Sequence, residues 1–196
     1  MRTRDENKEQ AIREKAIEMI VQEGFDGLSM QKLAKAANVS PATIYIYYKD
    51  RDDLILQLYI DVNAKMTKAI LKDFDPTMSF AKGLEVQWKN RARYFLEFPM
   101  ETRFAEQIKH SPFYAKALSM QSPEFKQAMG TFIKNAIERN ELNPVPFEAF
   151  WSVAYAPLYQ LMKYHSQGKN HLNEDFVLSD AIMMKTLALV IKGLTP

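Results

Sequence analysis

The stretch LSMQKLAKAANVSPATIYIYYKD, Leu28 to Asp50, decides the fold. Ser29 stands where a side-chain oxygen can cap a short helix running to Ala36 or Ala37. Asn38, which tolerates the left-handed conformation better than most residues, follows it. Ser40-Pro41 then pairs an N-cap with a first-turn proline, opening a second helix to about Tyr48. Leu33 and Ala37 share one face of the first helix, Val39 sits in the turn, and Ile44 and Tyr48 share a face of the second. Together they predict an apolar wedge that sets two helices at a steep angle, with small Ala34 at the crossing. The other face of the second helix shows Pro41, Ala42, Thr43, Tyr45, Ile46 and Tyr47. These side chains are small, polar or flat, and such a surface can enter a major groove.

Working outward, Ala11, Ile12, Ala16, Met19 and Ile20 recur at helical spacing, so Asp5 to Glu23 reads as an amphipathic helix stopped by Gly24. Asp50 caps a helix from the motif's exit to about Asp73, and Asp52 and Asp53 complement its dipole rather than act as catalytic acids. Pro76 is expected to open a helix to about Phe98. Pro99, Pro112 and Pro123 divide the next stretch, and Phe125 to Asn140 forms a further helix. Two apolar helices, Phe147 to His165 and Asn173 to Lys192, close the chain around a Gln167–Asn170 turn, the first kinked by Pro157. No strand alternation or internal repeat appears. The expected fold is all-α with about nine helices. Residues 1–53 would form a helix-turn-helix domain, and residues 54–196 a helical effector-binding and dimerisation domain.

Composition narrows the function. The 196 residues include no Cys, which excludes disulfides and thiolate chemistry, and only 6 Gly, which disfavours a turn-rich β fold. The charged start has no apolar core of a signal peptide, and no stretch is long enough to span a membrane, so a cytoplasmic protein without a membrane partner is expected. The net charge of +2 is uninformative, because residues 1–53 carry nine Lys and Arg against ten Asp and Glu. Residues 28–51 alone hold Lys32, Lys35, Lys49 and Arg51 against Asp50. Any nucleic-acid footprint is therefore a local patch. Arg2 and Arg4 fit either a basic arm or a solvated terminus. His110, His165 and His171 share no metal-ligand spacing, there is no glycine-rich phosphate loop, and nothing calls for a cofactor.

With these residues in hand, LSMQKLAKAANVSPATIYIYYKDRDDLI resembles the DNA-binding segment of the TetR family of bacterial regulators. The likeness lies in its spacing, its Val-Ser-x-x-Thr-Ile-Tyr core and its aromatic-Lys-x-Arg-x-x-Leu exit. It covers Gln10 to about Leu56. The Ile46-Tyr47 pair departs from the Tyr-His usual in the family. The resemblance implies that Ser40, Ala42, Thr43, Tyr45, Tyr47 and Lys49 meet operator DNA, with Ser29 and Gln31 at the start of the preceding helix. Tyr45, Tyr47 and Lys49 would serve phosphates, Thr43 a base edge and Ile46 a thymine methyl, while Tyr48 reads as core.

The centre of the chain is rich in aromatics, and the whole has 11 Met. Core is the plain reading of each. Their surplus suggests a site for a small apolar or amphipathic effector, lined by Trp88, Phe95, Phe104, Trp151, Tyr155 and Tyr159, with Arg91 or Arg103 as polar anchor. The last two helices are apolar on nearly every side, which calls for cover from a second copy. The family resemblance likewise implies a homodimer through a four-helix bundle. Three functions are therefore weighed: a ligand-responsive repressor, a DNA-binding regulator without effector, and an all-α carrier or enzyme, the last lacking any cluster of titratable groups.

Overall fold

A computed structural model describes residues 5–120 and 123–196, so Arg2 and Arg4 lie outside the described residues. Their chain is helical, and it divides into two units: residues 1–66 with 98–122, and residues 67–97 with 123–196.

In the first unit, α1 (Glu6–Gly27) is capped by Asp5, whose carboxylate accepts from the Asn7 and Lys8 amides. As expected, the regular helix is interrupted at Gly24, which takes φ 75° and ψ 177°, and a short helical turn follows to Gly27. α2 (Met30–Ala36) and α3 (Pro41–Tyr47) follow, then α4 (Arg51–Ile70), whose first four turns belong to this unit. Ile12, Ala16 and Ile20 of α1 bury against Leu33, Ile44, Tyr48, Leu54, Ile55 and Leu58. The chain returns to this core with α6 (Pro99–Lys109) and α7 (Tyr114–Ser119), which add Phe104, Ile108 and Ala117. Residues 98–120 thus extend the first unit well past the boundary expected at residue 53.

The first whole helix of the second unit, α5 (Phe80–Glu97), starts at Phe80 and not at Pro76. The Asp75 carboxylate accepts from both the amide and the hydroxyl of Thr77, each at 2.8 Å, which holds residues 75–77 in a turn and competes with the helix. Arg139, just past α8 (Glu124–Glu138), donates to the carbonyls of Thr77 and Met78, and Glu141 accepts from the Phe80 amide at 2.6 Å. α9 (Phe147–Ala154) and α10 (Ala156–Gln167) are one expected helix broken at Tyr155, where Pro157 supplies no amide hydrogen. The last helix, α11 (Asp180–Leu194), starts at Ser179 rather than Asn173. Asn173 takes φ 63°, and an isolated antiparallel bridge between Lys169 and Asp175 turns residues 168–176 into a small loop. Phe80, Leu84, Trp88, Phe132, Phe150, Tyr155, Leu158, Met183 and Leu187 form the core.

Candidate nucleic-acid interface

The tripartite arrangement α2–turn–α3 is fixed by backbone satisfaction. Ser29 Oγ accepts from the Lys32 amide at 3.2 Å, and Ser40 Oγ accepts from the Thr43 amide at 3.2 Å. Between them Asn38 takes φ 53°, which lets the Val39 amide reach back to the Ala34 carbonyl at 2.9 Å. Leu33 and Ile44 are fully buried, so the wedge holds as expected, with Ala34 also buried at the crossing. After α3 the chain is extended at Tyr48, and α4 begins with reciprocal caps. Asp50 accepts from the Asp53 amide, and Asp53 accepts from the Lys49 amide, both at 2.8 Å. The Arg51 guanidinium clamps the carbonyls of Phe25 and Leu28, tying the end of α1 to the start of α4. It is therefore engaged in structure and lends little to a basic patch.

This scaffold presents one side of α3. Tyr45 is 54% exposed and Ile46 41%, and Gln31, Ser40, Ala42 and Lys49 are exposed with them. Ser29 and Thr43 are half-buried. Thr43 also pairs its hydroxyl with that of Ser40 at 2.8 Å, so it shares any base contact with the cap. Tyr47 is held differently. Its phenol oxygen accepts from the Asp5 amide at 2.9 Å and donates to the Asp5 carbonyl at 3.0 Å, linking α3 to the start of α1. Tyr48 is core, with burial raising its hydroxyl above the ordinary range. A polar cleft of about 260 Å³ lies beneath, lined by Glu9, Arg13, Tyr47, Tyr48 and Asp61 among others, with Arg13 paired to Asp61 across it. Lys32 and Lys35, named in the local basic patch, are exposed on α2, and Lys32 pairs with Glu23 at 3.4 Å.

The family profile described as bacterial regulatory proteins, tetR family, matches residues 12–58. A helix-turn-helix-type transcriptional regulator of Haemophilus influenzae is 42% identical over 79 residues. That alignment spans 40% of this chain and 42% of the relative, so less than half of the relative's length is matched. Among solved structures, a TetR family transcription regulator from Marinobacter aquaeolei superposes with TM-score 0.76 at 28% identity, over 100% of this chain and 99% of that one. A TetR-family regulator from Haemophilus influenzae superposes with TM-score 0.77 at 22% identity, covering 97% and 98% of the two chains.

Residues 12–58 match the TetR family's model, and the whole chain shares its fold with solved TetR-family regulators.

The residues nominated as an effector site fall in both units. Phe104 is a fully buried core residue of the first unit, and Arg103 is exposed there. The expectation grouped them with α5 because they are near in sequence, whereas α6 returns to the first unit's core. The other six belong to the second unit. Trp88 is fully buried and donates its indole N–H to the Ala154 carbonyl at 2.8 Å, a carbonyl freed by the break at Tyr155. Tyr155 is fully buried too, and burial pushes its hydroxyl up to about 12. Arg91, Trp151 and Tyr155 lie together, with Tyr159 bonded to Arg91 at 3.4 Å. Phe95 is half-buried on the edge of the same core. No helix among the described residues is long and apolar enough to cross a membrane.

Proposed function

We propose that this protein is a ligand-responsive repressor. As a homodimer in the cytoplasm it binds a pseudo-palindromic operator, and it leaves when a small apolar or amphipathic effector occupies the second unit. The observation that carries the DNA-binding half is the outward face of α3, where Tyr45 and Ile46 stand free beside Lys49 and Gln31. A phenol and an ammonium suit phosphate oxygens, and an aliphatic tip suits a thymine methyl. Ser29, Ser40, Ala42 and Thr43 complete the surface, and Lys32 and Lys35 add cations beside it.

The outer faces of the last helices support a two-fold assembly. On α11 Met183 and Leu187 point inward, whereas Ile182 and Leu189 are exposed, Leu189 at 67%. On α9 Val153 is exposed as well. A strip of this kind calls for a covering partner, and a two-fold copy supplies the same strip in return. Two recognition helices then meet two half-sites. Effector and operator weaken each other by the same factor only if the effector distinguishes the two conformations. A second reading, a regulator with no small-molecule effector, is favoured by the complete burial of Trp88 and Tyr155 in core contacts.

Selection from random duplexes should recover an inverted repeat, with affinity falling steeply as salt rises. Leu189→Asp should sediment as a monomer and lose that affinity. A monomer in the unaltered protein at micromolar concentration, or recovery of unrelated sequences only, overturns the reading. Leu187 and Met184 are less suited to this test, because Leu187 is 1% exposed and Met184 packs against the core.

A further inference from the structure

Arg91 is 95% buried, being 5% exposed, yet no carboxylate among the described residues lies within the 4.0 Å of an ion pair. Every other arginine bonded within the described residues has a carboxylate partner: Arg13 has Asp61, Arg51 has Asp52 and Arg139 has Glu141. Arg91 has neutral partners instead. One terminal nitrogen donates to Gln87 Oε1 at 3.1 Å, the other to the Tyr159 hydroxyl at 3.4 Å, and Nε has no partner at all. Gln87 is itself fixed, its amide donating to the Ile70 carbonyl at 3.1 Å. The guanidinium carbon sits 4.3 Å from the Tyr155 ring centre, 5.4 Å from Phe125 and 5.5 Å from Trp151.

Three aromatic faces offset part of the cation's lost hydration, but they cannot accept its in-plane hydrogen bonds. A buried guanidinium without a counter-ion is costly, and a core arginine serving only to fill space is easily replaced by an apolar side chain. The arrangement leaves a planar donor fork with a vacant Nε and no counter-charge inside a box of rings. Two of its walls, Phe125 and Trp151, are only half-buried and meet edge to face with centres 6.1 Å apart, so these walls reach the surface.

From the uncompensated charge and vacant Nε inside aromatic walls we infer that Arg91 anchors the effector's acid group, and that the effector is a monocarboxylic acid with an apolar body. A carboxylate matches the fork with two parallel hydrogen bonds. A single cation neutralises one negative charge, and the rings accommodate an apolar remainder rather than a second charge. This inference rests on the ligand-responsive reading proposed above and specifies its effector.

The test uses the full-length protein and paired probes: benzoate, naphthalene-2-carboxylate and octanoate, each beside its neutral primary amide. Thermal shift and titration calorimetry should show at least one acid binding at least tenfold more tightly than its amide. Arg91→Gln should bring that acid-to-amide ratio close to one. In the absence of any probe, Arg91→Met should melt at the same temperature as the unaltered protein or higher. A clear fall in the melting temperature of Arg91→Met marks a structural strut and overturns the proposal. So does equal binding of acid and amide, or no acid-specific binding across the series. If an acid binds through Arg91 but leaves operator affinity unchanged, the anchor stands and the ligand-responsive reading fails. If an amide releases operator as well as its acid does, the reverse holds.

Discussion

The two units are held by different means. In the first, backbone polar groups at helix ends are met one by one: Ser29, Ser40, Asp50 and Asp53 cap, and Arg51 clamps two carbonyls. In the second, the rings of Phe74, Phe80, Phe132 and Phe150 pack on one another with centres 5.2 to 6.4 Å apart, while Arg91 is left without a counter-charge. A unit whose helix ends are capped one by one keeps its local shape, which suits a rigid reader of DNA, and its buried atoms without a partner, the Tyr48 hydroxyl and Gln107 Oε1, carry no charge. A unit that stores an unmatched charge has something for a ligand to change.

The contrast can be broken hardest at Gly83. A β-carbon there would stand 2.4 Å from the Phe132 ring, which is itself fully buried between Phe74 and Phe80. Gly83→Val should therefore cost about 3 kcal/mol, because overpacking a filled core forces its neighbours off their rotamers. Denaturant melts should show the loss. In the first unit the corresponding break is Arg51→Met, which strips charged donors from the Phe25 and Leu28 carbonyls and should cost about 2 kcal/mol.

A smaller effect separates the units by pH. Burial holds the Tyr155 proton up to about 12 against an ordinary 10.0. The folded state then binds a proton that the unfolded state has lost, so stability is full below pH 10 and declines as pH rises toward 12. Tyr48 in the first unit shifts the same way from the same cause. Tyr155→Phe should flatten part of the alkaline fall in melting temperature and leave the Tyr48 part. An unchanged alkaline profile in Tyr155→Phe would mean the phenol is hydrated. Smallest is Ser40→Ala, which removes one cap and should cost about 1 kcal/mol by the same melts.

That division also explains what the sequence could reveal. Caps are local: Ser29, Asn38, Ser40 and Asp50 sit within a few residues of the groups they satisfy, so the helix-turn-helix and its exposed Tyr45, Ile46 and Lys49 could be read directly. Even there, Tyr47 was drawn away from the surface by a bond to Asp5, a residue 42 positions distant. At Pro76 and Asn173 the helix-start signals were real but lost to side-chain turns, with Asp75 bonded to Thr77 and Asn170 bonded to the Leu172 and Glu174 amides. The second unit depends on distant pairs. Nothing near Arg91 in sequence announces that Phe125, Trp151 and Tyr155 surround it. Nor does anything near Phe104 announce that α6 belongs with α1.

The break between α9 and α10 has an optical consequence. The protein has 2 Trp, and the break places them in contrasting settings within the second unit. Trp88 is sealed in the core with its N–H held by the Ala154 carbonyl, whereas Trp151 is half-buried and tilted at 47° against Tyr155, ring centres 4.6 Å apart. Excited at the red edge, the unaltered protein should therefore give two emission components. The bluer one from Trp88 should be indifferent to acrylamide, and the redder one from Trp151 should be quenched by it. The first unit contributes no indole signal, so titration with unlabelled DNA can be followed against a silent reader and a second unit that reports on itself.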